Sequence, residues 1–105
     1  MYDVSVVIPN YNGIKYLEHC LEALEKQREV AFETIVVDNC SQDGSAILAK
    51  EKFPQCCYLS LDQNYGFCRA VNEGIKKAVA PFVVLLNNDT EVEPEFLKNL
   101  LDCIS

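Results

Sequence analysis

The sequence predicts an α/β domain: a three-layer α/β/α sandwich on a parallel sheet of four strands in the order 3-2-1-4. Three observations carry that expectation. Four short, largely apolar runs alternate with four segments that read as helices. Val4–Ile8 and Phe82–Leu86 are nearly continuous in their apolarity, as strands buried on both faces are. Polar, asparagine-rich stretches follow the runs: Asn10-Tyr11-Asn12, Asp38-Asn39 and Asn87-Asn88-Asp89. Alternation of this kind implies right-handed crossovers, with ligands bound beyond the carboxyl ends of the strands where their order reverses. In the order 3-2-1-4 that reversal lies beside the first strand, and the three polar stretches converge there.

Each element has its own justification. Val4-Ser5-Val6-Val7-Ile8 reads as a strand stopped by Pro9. From Gly13 the period changes, with Ile14, Leu17, Leu21 and Leu24 on one helical face and Lys15, Glu18, Glu22 and Glu25 opposite. Thr34–Val37 is the second strand. Ser41-Gln42-Asp43-Gly44-Ser45 offers capping oxygens, Asp43 among them, for a helix that ends before Pro54. Cys57–Leu61 alternates weakly and makes the third strand, with Cys56 and Cys57 pointing in and out in turn. After the loop Asp62–Gly66 comes a helix with Phe67, Ala70, Val71, Ile75 and Ala78 on one face, ended by Ala80-Pro81. Phe82–Leu86 is the fourth strand. Pro94 opens a last helix whose stripe is Phe96, Leu97, Leu100, Leu101 and Ile104. Ser105 follows at once, leaving no strand to close the far edge of the sheet, so the chain reads as a fragment.

Composition narrows the function. A chain of 105 residues, 50% hydrophobic and 24% charged, is one globular domain. Nine Lys and Arg against sixteen Asp and Glu give 9 − 16 = −7, which argues against a nucleic-acid partner. An anionic small molecule then needs local donors or a divalent metal. The longest apolar run, Phe82–Leu86, is far short of the about 20 residues that span a bilayer, and Met1-Tyr2-Asp3-Val4 has no basic region of a secretory signal. The expected compartment is the cytoplasm. Six cysteines fall below the roughly 8–10% of disulfide scaffolds, no pair is spaced CxxC, and His19 is the single histidine. Free thiols in a reducing compartment are expected, with no structural zinc site and with His19 exposed on the polar side of the first helix.

Four segments, taken together and in order, resemble the family 2 glycosyltransferases. They are Val6–Asn12, Ile35–Ser45, Gln63-Asn64-Tyr65-Gly66-Phe67 and Leu85–Asp89, and the resemblance runs from about Val4 to Leu101. It implies the nucleotide-sugar-binding half, Rossmann-like, of a GT-A fold, spanning residues 1–105 and truncated before the acceptor half that carries the catalytic base. The activity implied is transfer of a sugar from a UDP- or dTDP-linked donor, with inversion, to a glycan or lipid-linked acceptor. The Asn87-Asn88-Asp89 variant and the segment around Asn64 look most like rhamnosyl- or galactofuranosyltransferases. Membrane association would come only through parts outside this chain. The alternative is a non-catalytic nucleotide-binding or regulatory module. A phosphoacceptor receiver domain is disfavoured, since Pro9-Asn10-Tyr11-Asn12 lacks an acidic pair.

The resemblance also implies roles. Asp38 would read the imide N–H of uracil or thymine, against the alternative that it caps the Ser41 or Gly44 amides. Pro9 fixes the turn, and Tyr11 offers a flat face for the base. Asn64, Gly66 and Asn72 form the third element, where a glycine at a helix start allows close backbone approach to an anion. Relatives often carry an arginine immediately before the second asparagine; here Val71 stands there and Arg69 is the nearby arginine, a candidate for the diphosphate against the alternative that it lies on a solvated helix surface. Asn87-Asn88-Asp89 occupies the place of an Asp-x-Asp motif, with Asn87 replacing the first aspartate. Asp89 would ligate Mg²⁺ or Mn²⁺ across the diphosphate, while Asn87 and Asn88 bond the donor. Thr90, Glu91 and Glu93 read as solvated loop residues. No catalytic residue is expected within the chain.

Overall fold

The computed structural model describes residues 1–104, so the expectation resting on Ser105 lies outside the described residues. Four strands, β1 (Val4–Asn10), β2 (Phe32–Asp38), β3 (Cys57–Ser60) and β4 (Phe82–Leu85), alternate with four helices, α1 (Leu17–Glu25), α2 (Ser45–Lys52), α3 (Phe67–Lys77) and α4 (Phe96–Ile104). All pairings are parallel and the order is β3-β2-β1-β4, as expected.

The period-two alternation of β1 divides the core into two layers. Val4, Val6 and Ile8 face Leu17, Cys20, Leu21 and Leu24 of α1, Ala49 of α2 and Leu97 of α4. Val7 faces the other way, with Ile35 and Val37 of β2, onto Ala70 of α3. Three helices therefore cover one face and a single helix covers the other.

Several boundaries and faces differ from expectation. Pro9 does not end β1, which continues in register with β2 through Asn10↔Asp38. The Val7 carbonyl accepts from Leu86 on the β4 side, and the Asn10 carbonyl accepts from Asn39 on the β2 side. Alternation places the proline nitrogen on the β4 side, past Val7↔Leu85 where that pairing ends, so the missing N–H costs no ladder bond. Ile14 lies in the turn before α1 and is exposed, because the helix proper begins at Leu17. On α3 the buried positions are Ala70 and Gly74, while Phe67 and Ile75 stay half exposed. The reason is close approach: a Cβ at Gly74 would lie 2.4 Å from Val7 Cγ1. On α4 only Leu97 is fully buried, and Ile104 is exposed. Phe82, Val83 and Leu85 of the edge strand β4 are also partly exposed.

Candidate functional site

The carboxyl ends of β1 and β4 and the start of α3 enclose a cleft of about 390 Å³, lined by Pro9, Asn10, Tyr11, Asn39, Asn64, Gly66, Phe67, Asn87, Asn88 and Asp89. That size suits a small-molecule site. Deeper or more apolar hollows exist elsewhere, but they lie between α1 and α2 or at the amino ends of the strands, away from these residues.

Asn10 is the hub of the wall. Its side chain is 1% exposed at the last position of β1. Its Nδ2 donates to Asp38 Oδ1 at 3.0 Å and to Ser45 Oγ at 3.0 Å, with Ser41 Oγ at 3.3 Å. Its Oδ1 accepts from Asn88 Nδ2 at 2.8 Å. Gly13 makes room for that last bond, since a Cβ there would meet Asn88 Nδ2 at 2.2 Å and Asn10 Oδ1 at 2.3 Å.

Asp38 does not line the cleft. Alternation along β2 turns its side chain with Val36 toward the α2 face, where it is buried. Oδ1 also accepts from Ser41 Oγ at 2.6 Å, and Oδ2 accepts from Ser41 N–H at 3.0 Å. The loop-capping alternative at Ser41 is therefore the geometry observed. The neighbour Asn39 reaches the cleft instead. Its Nδ2 donates to the Gly66 carbonyl at 3.0 Å and its Oδ1 accepts from Tyr65 N–H at 3.1 Å, which clamps the loop before α3. Asn64 folds that loop on itself, accepting from Gly66 N–H at 2.9 Å. Gly66 has φ of 91°, a backbone conformation that glycine adopts without penalty.

Arg69 and Asn72 do not line the cleft either. The Arg69 guanidinium stacks over the Tyr65 ring at 4.7 Å, and its Nε lies 3.7 Å from Glu73 Oε2, one turn along α3. Tyr65 is itself fixed by donating to Asp62 at 2.5 Å; that bond, first among the causes, raises its hydroxyl pKa. Asn72 is an exposed residue of α3.

On the opposite rim, Asn87 and Asp89 are exposed and Asn88 is half-buried. The Asn87 carbonyl accepts from Thr90 N–H at 3.1 Å and from the Cys20 thiol at 3.8 Å. Burial, reinforced by Asp89, Cys56 and Glu91, pushes that thiol up to about 12, so it stays neutral beneath the loop. Asp43 caps as expected: it accepts from Ser45 N–H at 3.0 Å and Ile14 N–H at 3.0 Å. Slight burial would raise its pKa, but these bonds outweigh it and hold the carboxyl below the usual range. His19 is exposed, with Nδ1 3.9 Å from Glu91.

Among the described residues no three His, Cys, Asp or Glu side chains gather as a self-sufficient metal cage. The cleft instead offers one carboxylate, Asp89, beside the amide carbonyls of Asn87 and Asn88. That hard-oxygen set fits a divalent cation that keeps waters and takes further oxygens from a bound diphosphate. Sequence reasoning placed Pro9, Tyr11, Asn64, Gly66, Asn87, Asn88 and Asp89, all of which line the cleft. It brought Asn10 and Asn39 to the crevice without individual roles, read Ser45 as a helix-start residue, and gave Gly13 no part in the wall.

A parallel sheet with a polar cleft at its carboxyl edge, beside the order reversal, defines an α/β domain of the doubly wound kind, in which that edge is where ligands bind. More particularly, the chain belongs to glycosyl transferase family 2, whose family model matches residues 5–105. It is 32% identical over 101 residues to the succinoglycan biosynthesis protein ExoO of Rhizobium meliloti, across 95% of this chain and 29% of ExoO. It is 32% identical over 105 residues to the poly(ribitol-phosphate) beta-N-acetylglucosaminyltransferase TarS of Staphylococcus aureus, across 94% of this chain and 18% of TarS. The crystal structure of S. aureus TarS 1–349 in complex with UDP superposes with a TM-score of 0.89 at 30% identity, covering 97% of this chain and 32% of that one. The mannosyltransferase PcManGT of Pyrobaculum calidifontis, in complex with GDP-Man and Mn²⁺, gives 0.74 at 25% identity over 84% of this chain and 28% of that one. The fold thus matches that of GT-A glycosyltransferases, and the chain spans a third or less of the length of each of these proteins. Among the described residues no helix is long and apolar enough to cross a membrane.

Proposed function

We propose that the protein transfers a sugar, with inversion, from a UDP- or dTDP-linked donor to a glycan or lipid-linked acceptor, and that this chain is its donor-binding half. The observation that carries the reading is the cleft at the β1 and β4 ends, where Tyr11 and Gly66 face Asn87, Asn88 and Asp89. TarS, solved with UDP and with UDP-GlcNAc, supports the donor class. Tyr11, 49% exposed, offers its ring to the nucleobase. Asn39 holds the Gly66 loop where backbone can approach the donor. Asp89, with the amide carbonyls of Asn87 and Asn88, would hold Mg²⁺ or Mn²⁺, which when bound offsets the charge that develops on the departing diphosphate. In the transfer the acceptor oxygen bonds to the anomeric carbon as the bond to the diphosphate breaks. The hydroxyl proton goes to a base outside this chain. Six unpaired cysteines fit a reducing compartment, and we place the reaction in the cytoplasm.

Calorimetric titration of this chain with UDP, dTDP and GDP, in Mn²⁺ and then in EDTA, tests the reading. Pyrimidine diphosphates should bind more tightly than GDP, and EDTA should weaken them. Asp89→Ala should abolish the Mn²⁺ dependence. Equal binding of GDP and UDP, indifferent to EDTA, would refute the assignment.

A further inference from the structure

We infer that Asp38 and Asn10 form a positioning relay that fixes which end of the Asn88 carboxamide the cleft receives. The inference rests on the donor-binding reading above. A carboxamide has a donor end and an acceptor end, and only its neighbours decide which way round it sits. Asp38 supplies the decision. Its carboxylate accepts from Asn10 Nδ2, Ser41 Oγ and Ser41 N–H, and an ionised carboxylate can only accept. Asn10 must therefore turn Nδ2 toward it, and the hydroxyl of Ser45 receives the second hydrogen. Oδ1 of Asn10 is then forced to the opposite side, where it meets Asn88 Nδ2 at 2.8 Å. Asn88 in turn spends its donor end on the wall. Its Oδ1 has no partner among the described residues, and it is the polar end of Asn88 left for the cleft.

Reversing any member puts two acceptors face to face inside a buried network, with a penalty comparable to an unsatisfied buried polar group. Asp38 thus acts through Asn10 from behind the wall, and touches no ligand. The relay also says why positions 38 and 88 are not both acidic. A carboxylate at 88 would face Asn10 Oδ1, and Asn10 could turn to meet it only by presenting Oδ1 to Asp38.

That exclusion is the test, because residues 38 and 88 are coupled only through Asn10. UDP affinity in Mg²⁺ is measured by calorimetry for the wild-type chain, Asn88→Asp, Asp38→Asn and the double variant. Each single variant should bind UDP about tenfold more weakly. The double variant lets the whole chain of bonds run in reverse, from a carboxamide at position 38 through Asn10 to a carboxylate at position 88, and should return to within about threefold of wild type. A purely structural role for Asp38 predicts additive losses instead. Additivity, or an Asn88→Asp variant that binds UDP more tightly on its own, overturns the relay. A measurement on the unsubstituted chain guards against variants that do not fold. The side-chain NH₂ protons of Asn10 and Asn88 should exchange slowly with solvent, and UDP with Mg²⁺ should leave that protection intact. Fast exchange at Asn88 overturns the proposal equally. If the wild-type chain binds no UDP, the donor-binding reading falls, while the exchange measurement still decides the relay.

Discussion

Gly13→Ala is a small change with a large expected effect. The backbone at Gly13 is not in the left-handed region, unlike Gly44 and Gly66, so alanine adopts it without strain. The obstacle is space. The new methyl would lie 2.2 Å from Asn88 Nδ2 and 2.3 Å from Asn10 Oδ1, on the hydrogen bond that joins them. Parting those groups strands the buried Asn10 oxygen without a donor, which costs about 1–3 kcal/mol. Stiffening of the unfolded chain returns about 0.4–1 kcal/mol. The net loss is about 1–2 kcal/mol, or roughly 5–15 °C in Tm for a domain of this size. Gly44→Ala is the control: nothing lies within 4 Å of its Cβ, and φ of 81° makes its cost one of backbone strain, about 1–2 kcal/mol. Thermal unfolding should therefore show comparable losses for both variants. UDP titration should separate them, because only Gly13→Ala displaces Asn88 at the cleft. A Gly13→Ala chain with wild-type Tm and wild-type UDP affinity would refute the reasoning.

Three further outcomes are expected. Gly74→Ala drives a methyl against Val7 Cγ1 at 2.4 Å and Val37 Cγ2 at 3.0 Å, two β-branched side chains with little room to turn. Overpacking of this kind costs about 1–3 kcal/mol, read as a lower urea midpoint. Burial raises the pKa of Cys20 to about 12 and, first among its causes, also raises that of Tyr58, so the folded chain keeps protons that the unfolded chain releases from about pH 9 upward. The contribution of these two groups should be flat below that pH and fall as pH rises above it, and a urea midpoint unchanged between pH 8 and pH 10.5 would contradict the burial. Arg69→Ala should change UDP affinity by less than about twofold, since Arg69 is held by Tyr65 and Glu73 outside the cleft; a tenfold loss in titration would place it at the phosphates after all.

The fold was legible because β1, β2 and β4 are runs rich in β-branched residues and α1, α3 and α4 carry a helical period, while β3 and α2 were marked by weak alternation and by the capping residues and proline that bound them. The site was legible only where position along the chain was enough. Tyr11, Asn64, Gly66 and Asp89 sit in loops that the topology itself delivers to the carboxyl edge. Asp38 read as a cleft residue because a carboxylate at a strand end has few structural uses, whereas alternation turns it with Thr34 and Val36 toward α2, behind the cleft. That signal was available, as was the three-residue spacing from Asp38 to the Ser41 amide it caps. Gly13 and Gly74 were not available. Their need for a missing Cβ arises from contacts with Asn88 and with Val7 and Val37, residues that only the folded chain brings near. Arg69 was decided by Tyr65 and Glu73, competing partners on its own helix and the loop before it.

The chemistry of the cleft follows from its charge. A diphosphate approaching a chain of net charge −7 meets repulsion unless the immediate walls are neutral. Two unit charges about 4 Å apart near a protein surface interact by about 4 kcal/mol, so each additional carboxylate facing the phosphates would oppose binding strongly until a cation arrived. The walls answer with amides: Asn10, Asn39, Asn64, Asn87 and Asn88 line the cleft, and Asp89 is its one acidic lining residue. Asp38 is the exception that fits the same logic. Its charge is held behind Asn10 and spent on Ser41 and Asn10, so it acts on the cleft through the direction of hydrogen bonds and adds no carboxylate oxygen to the wall. A wall of amides supplies donors or acceptors as its supporting network dictates, and here that network is anchored on one buried carboxylate.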